Sequence, residues 1–146
     1  MIEDNKFPVY YQPKVSPNTY VFIGAEALVR CEISPGNIIQ PNNFIPILEE
    51  SRLISVLDFH IFRMVNAQIK KWMCEGRRII PVSVNFSRYT LSEHNFLNRI
   101  KEIWSEYQVP KQFLEIEVTE TVEEDDRFDF IELMKKIKQE GFSISI

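Results

Sequence analysis

Ile23-Gly24-Ala25-Glu26-Ala27-Leu28-Val29-Arg30 is the stretch on which the reading of this chain turns. Its composition predicts a β-strand, and successive side chains of a strand point to opposite faces. Val21, Ile23, Ala25, Ala27 and Val29 then form one unbroken apolar face, while Phe22, Gly24, Glu26, Leu28 and Arg30 share the other. A carboxylate and a guanidinium therefore project from otherwise hydrophobic surroundings. At about 3.3 Å per residue they stand roughly 13 Å apart along the strand, beyond the reach of a direct salt bridge. Each needs a partner of its own. Two charges paired elsewhere in the fold would meet that need without any functional role.

The chain around this strand has 146 residues, 45% hydrophobic and 12% aromatic, enough for the core of one domain. A net charge of -4 argues against broad electrostatic binding to DNA or anionic lipid, so an anionic ligand must be held by a few placed groups. No apolar run approaches the ~20 residues of a membrane span. Met1-Ile2-Glu3-Asp4-Asn5 is too acidic and polar for a signal peptide. A cytoplasmic domain without a membrane segment is expected. Cys31 and Cys74 lack CxxC or zinc-type neighbours and read as reduced thiols. His60 and His94 show no ligand spacing.

Outward from the strand, residues 7–15 predict a short strand, followed by turn chemistry at Pro13, Pro17 and Asn18. Ser34-Pro35-Gly36-Asn37 predicts a turn, and Pro41 opens a short helix, where proline is tolerated in the first turn. Leu57, Ile61, Met64, Val65, Ile69 and Trp72 form the apolar stripe of a longer helix that Gly76 stops. Residues 79–86 read as a strand with Val82, Val84 and Phe86 on one face and Ser83 and Asn85 on the other. Ser92 is the expected N-cap of a helix burying Leu97, Ile100, Ile103, Trp104 and Tyr107. Residues 113–119 repeat the strand pattern, with Glu115 and Glu117 opposite Leu114, Ile116 and Val118. A helix over 124–140 follows, its acidic start Glu123-Glu124-Asp125-Asp126 favourable to the helix dipole. A last strand begins at Phe142.

Strand-helix-strand-helix-strand order indicates an α/β protein with parallel strands, either doubly wound or part of a (β/α) barrel. No GxGxxG or GxxxxGK[ST] occurs, which counts against a nucleotide-binding doubly wound sheet. Barrels place function at the C-terminal ends of their strands. Glu26, Asn85 and Glu117 each fall in or near the C-terminal half of a strand, opposite its apolar face. Oxygen donors converging there suit a hard divalent cation, Mg²⁺ or Mn²⁺.

Tyr11-Gln12-Pro13, Gly24-Ala25-Glu26-Ala27-Leu28-Val29-Arg30, Phe44-Ile45-Pro46, Ser83-Val84-Asn85 and Glu115-Ile116-Glu117-Val118-Thr119-Glu120 occur in this order and at suitable separations. Together they resemble the EAL domain of bacterial cyclic di-GMP phosphodiesterases. The resemblance implies a TIM-like (β/α) barrel that binds Mg²⁺ or Mn²⁺ and hydrolyses cyclic di-GMP to linear pGpG. It casts Glu26, Asn85 and Glu117 as metal ligands, and Glu26 and Glu120 as catalytic residues. Gln12 and Arg30 become substrate contacts, Leu28 part of the apolar ligand wall, and Glu120 the anchor of a loop over the site. Arginine suits a phosphate because its guanidinium is always charged and bidentate.

In that family the strand beginning at Phe142 runs into an Asp-Asp-Phe-Gly motif whose aspartates bind the metals, and the chain stops one residue short of it. A later lysine, a further glutamate and the last strands lie beyond as well. The expectation is that residues 1–146 form the N-terminal portion of one EAL-type barrel domain, truncated after about the fifth strand. Alone it should be inactive and should self-associate, as a homodimer or otherwise, through unpaired strand edges. Two other readings stand beside hydrolysis. One is a non-catalytic cyclic di-GMP receptor or partner-binding regulator; the other is a barrel glycosidase with Glu26 and Glu117 as its carboxylate pair.

Overall fold

The computed structural model describes residues 5–118 and 127–145. Its elements run β1 (Val9–Val15), β2 (Phe22–Val29), β3 (Cys31–Ser34), β4 (Asn37–Ile39), α1 (Pro41–Glu50) and α2 (Ile54–Cys74). They continue β5 (Val82–Phe86), α3 (Arg88–Leu91), α4 (Phe96–Tyr107), a 3₁₀ turn (Lys111–Phe113), β6 (Leu114–Val118), α5 (Arg127–Gln139) and β7 (Ser143–Ser145). The class is α/β, as expected. A five-stranded sheet has the order β1-β2-β5-β6-β7, and β3 and β4 form a separate hairpin.

Strands β2, β5, β6 and β7 pair in parallel, each crossover carrying helix. Strand β1 corrects the all-parallel expectation: it pairs antiparallel with β2. Only six residues join the two strands, closed by backbone bonds of 2.9 Å from the Ser16 N–H to the Val21 carbonyl and from the Tyr20 N–H to the Ser16 carbonyl. A parallel return needs a crossover of a dozen or more residues, so this connection admits only a hairpin.

One face of the sheet buries Ala25, Ala27, Val29, Val82, Val84, Phe86, Leu114, Ile116 and Val118. Helices α2 and α4 cover it with Leu57, Phe62, Val65, Ile69, Phe96 and Ile100. Phe86 meets Phe96 edge-on at 5.1 Å between ring centroids, a favoured aromatic geometry. The apolar face of β2 is not buried throughout, since Val21 and Ile23 are exposed beyond the reach of the helices. Met64, placed in the α2 stripe by its spacing, is likewise exposed. Gly76 has φ +68° and stops α2, its N–H bonded to the Met73 carbonyl at 3.1 Å.

Helix α4 begins later than its sequence suggests. Asn95 is the N-cap, while Ser92 closes the preceding turn α3, which Ser87 caps by accepting the Thr90 N–H at 3.2 Å. A serine between two helical segments fits either role by composition alone. The acidic run Glu123–Asp126 lies outside the described residues. No helix among the described residues is long and apolar enough to cross a membrane.

Candidate metal and anion site

The parallel register draws polar residues from separate strands into two rows. Gln12 lies opposite Glu26, Glu26 opposite Ser83, Ser83 opposite Glu115, and Glu115 opposite Ser143. Toward the C-terminal strand ends, Asn85 lies opposite Glu117 and Glu117 opposite Ser145. Directly paired residues share a face, so both rows project away from the helix-covered core.

The two rows have different fates. In the first, Lys14 donates from Nζ to Ser83 Oγ at 3.0 Å and stands 3.9 Å from Glu115 Oε1. Glu115 thus has a cation beside it. In the second, Asn85 Nδ2 donates to Glu26 Oε1 at 3.0 Å, joining two of the expected ligands directly. Glu117 has no such provision: its Oε2 is buried and, among the described residues, has no hydrogen-bond partner. A buried carboxylate oxygen left unpaired is costly, and Glu117 lies directly opposite Asn85 in the sheet.

That orphaned oxygen tests the fit of a metal ion. Among the described residues no three His, Cys, Asp or Glu side chains come together as a metal-binding group. The set here is two carboxylates and one amide, all hard oxygen donors of the type Mg²⁺ and Mn²⁺ take. A cation near Glu117 Oε2 would satisfy an oxygen that has no partner among the described residues. The residues present fit the ion, although they supply fewer ligands than a full octahedral shell.

Leu28 and Arg30 line a cavity of about 260 Å³ at the C-terminal ends of β2 and β5, with Asn85, Pro41, Ile45 and Asp58 among its other walls. Arg30 Nη1 donates to the Val29 carbonyl at 2.8 Å, so the guanidinium folds back along its own strand. Gln12 is exposed on β1 and reaches the site only through its place opposite Glu26. Its neighbour Tyr11 turns to the other face and meets Trp72 at 5.7 Å; burial pushes its phenol up to about 12. Glu120 lies outside the described residues.

Asp58 is a further acid at the site, one that the apolar stripe of α2 does not single out. This carboxylate is 5% exposed, lines the cavity, and accepts from the Ser87 N–H at 2.9 Å and from Thr90 Oγ1 at 2.5 Å. Burial pushes its pKa up, and the Thr90 and Ser87 hydrogen bonds pull against that shift. The signal was available, because Asp58 is the one acid between Leu57 and Ile61 on the stripe that faces the core.

Comparison with known proteins gives this arrangement a context. A family model described as the EAL domain matches residues 1–146. The chain belongs to the EAL domain family. It is 31% identical over 145 residues to the signaling protein YkoW of Bacillus subtilis, covering 99% of this chain and 18% of that protein. It is 30% identical over 138 residues to the probable cyclic di-GMP phosphodiesterase PdeI of Escherichia coli, covering 93% of this chain and 18% of that protein. Among solved structures it resembles the PaMucR phosphodiesterase in complex with cyclic di-GMP, with a TM-score of 0.91 and 25% identity. That match covers 99% of this EAL chain and 59% of the solved one. The chain thus spans about a fifth of the length of these curated relatives. The same likeness identifies the sheet and its helices as the TIM-like EAL fold, and nothing in these relatives favours a glycosidase.

Proposed function

We propose that the domain to which this chain belongs hydrolyses cyclic di-GMP to linear pGpG with the help of Mg²⁺ or Mn²⁺. Glu26, Asn85 and Glu117 are its candidate ligands for the ion. One observation carries the reading: Asn85 bridges to Glu26 while Glu117, opposite Asn85, keeps a buried oxygen without a partner among the described residues. Family membership, and relatives named as cyclic di-GMP phosphodiesterases, support the substrate.

Glu26, Asn85 and Glu117 would hold a divalent ion, which would supply a Lewis acid for activating water and offsetting charge on the phosphodiester. The remaining work falls to the protein. Asn85 holds the Glu26 carboxylate in one orientation, so that no reorganisation is needed when the ion arrives. Arg30 has committed one of its five N–H donors to Val29 and keeps the others for a phosphate oxygen. Leu28 gives the neighbouring cavity an apolar wall. Gln12 contributes an amide beside Glu26, and Glu120 is assigned the anchoring of a loop over the site. Lys14 stays with Ser83 and Glu115 and takes no part.

The test is hydrolysis by the complete protein. Mn²⁺-dependent conversion of cyclic di-GMP to pGpG, abolished by EDTA and by Glu26→Gln, is expected. Tight cyclic di-GMP binding without turnover at any metal concentration would replace the enzyme by a receptor. Turnover unaffected by EDTA would remove the metal from the account.

A further inference from the structure

Asp58 is a buried acid for which the proposed chemistry has no use. It sits on α2, outside the polar face of the sheet, and no ion pair to it occurs among the described residues. Burying a charged group this way is expensive unless hydrogen bonds hold it. Both of its bonds enter through a single oxygen: Oδ2 takes the Ser87 N–H and the Thr90 hydroxyl. Since that hydroxyl spends its only proton on Asp58, it must accept from Ser87 Oγ, which lies 2.8 Å away. Ser87 Oγ in turn accepts the Thr90 N–H at 3.2 Å. The result is a closed ring of hydrogen bonds that ties α2 to the first turn after β5.

The ring is two residues from Asn85. Phe86 between them is fully buried, so the backbone from Asn85 to Ser87 is fixed on one side by the core and on the other by Asp58. Strand β5 has only five residues, and Asn85 is its penultimate one. Without an anchor at Ser87, this is the end of the strand that would fray. The geometry points to Asp58 as a positioning residue for the metal site: through Ser87 and Thr90 it sets where Asn85 presents its amide to Glu26. This rests on the metal-dependent reading above only for the ion; the placement of Asn85 is independent of it.

The experiment compares Asp58→Ala, Asp58→Asn and Thr90→Val in the complete protein. Two readouts are used: Mn²⁺ affinity by calorimetry, and hydrogen exchange of the Asn85 side-chain amide in the metal-free state. Asp58→Asn keeps an oxygen where Oδ2 stands and should hold both values within about threefold, whereas Asp58→Ala should weaken Mn²⁺ about 10- to 100-fold, the usual cost of losing an outer partner of a ligand. It should also speed Asn85 exchange. Thr90→Val has the shape of threonine, removes one of the two bonds, and should fall between; it decides the matter if Asp58→Ala does not fold. A lowered melting temperature with unchanged Mn²⁺ affinity and unchanged Asn85 exchange would reduce Asp58 to a structural brace and overturn the inference. Equal damage from Asp58→Asn and Asp58→Ala would overturn it too. If the unmodified protein takes up no Mn²⁺, the metal reading fails, and Asn85 exchange alone then decides the role of Asp58.

Discussion

Replacing Gly24 by alanine puts the alignment of the site under direct test. Gly24 lies two residues before Glu26, and a Cβ built on it would stand 3.0 Å from the Pro81 carbonyl oxygen. Ordinary contact begins at 3.4 Å, so that carbonyl must recede by about 0.4 Å. The same oxygen accepts the Ala25 N–H at 2.9 Å, the backbone bond that starts the pairing of β2 with β5. The obstacle is main chain and has no rotamer to escape into. Overpacking of this kind costs about 1–3 kcal/mol. Alanine recovers about 0.4–1 kcal/mol of it by restricting the unfolded chain, because φ at Gly24 is not positive. At the middle of both ranges the net loss is about 1.3 kcal/mol, or a melting temperature lower by roughly 3–5 °C for a chain of this size. Because β2 must slide or tilt against β5, the Asn85–Glu26 bond should loosen and Mn²⁺ binding weaken in parallel. Gly36→Ala is the control: nothing lies within 4 Å of its Cβ, but φ is +80°, so it should cost stability without touching metal affinity. A Gly24→Ala protein with an unchanged or raised melting temperature would refute the argument from close approach. One that melts earlier but binds Mn²⁺ normally would uncouple β2 pairing from the site.

Three further outcomes follow from particular atoms. Glu117→Gln should weaken Mn²⁺ binding by at least about tenfold in calorimetry, yet leave urea stability in EDTA undiminished, because Oε2 has no hydrogen bond to lose. Saturating Mn²⁺ at a hundred times its dissociation constant should stabilise the folded protein by about 2.7 kcal/mol, visible as a rise in melting temperature that Glu117→Gln largely abolishes. Asp58 governs a pH effect. Its folded pKa is raised above the ordinary 3.8, so the stability it contributes is present below that value and is lost as pH rises through the folded pKa. Urea unfolding of the unmodified protein against Asp58→Asn, from pH 3.5 upward, should therefore show the difference turning in favour of the asparagine variant as pH rises; a constant difference would contradict the shift.

The faces of the central strands were legible because alternation is a local property. Ala25, Ala27 and Val29 are buried, and Glu26 and Leu28 point away from the core, as their order in the chain requires. What alternation does not encode is direction and lateral register. Strand β1 shows the first: its pattern is the same read either way, and only the six-residue link to β2 reveals the hairpin. Asn85 and Glu26 show the second. They belong to different rows, Glu26 pairing with Ser83, and their side chains meet because Asn85 reaches back from two residues further along β5. Asp58 was missed for another reason. A helix stripe read from its apolar members gives no account of the polar residue among them.

Glu26 and Arg30 began as two charges on one strand face, too far apart to pair, and the fold treats them differently. Glu26 is oriented by a side chain from the next strand, with Asn85 as its fixed neighbour. Among the described residues the Arg30 guanidinium bonds only to the carbonyl of the residue before it, a contact any anionic ligand can compete with because a guanidinium forms stronger bonds to charged oxygen than to a neutral carbonyl. In the proposed reading the cation side of the site is thus set by the sheet itself, while the anion side is left to be drawn into place by what binds. An acidic chain can meet a dianionic ligand on these terms. Of the carboxylates that would repel it, Glu26 is tied to an amide and, in the proposed state, Glu26 and Glu117 are both tied to a metal ion, while the Arg30 guanidinium has no carboxylate partner to give up among the described residues.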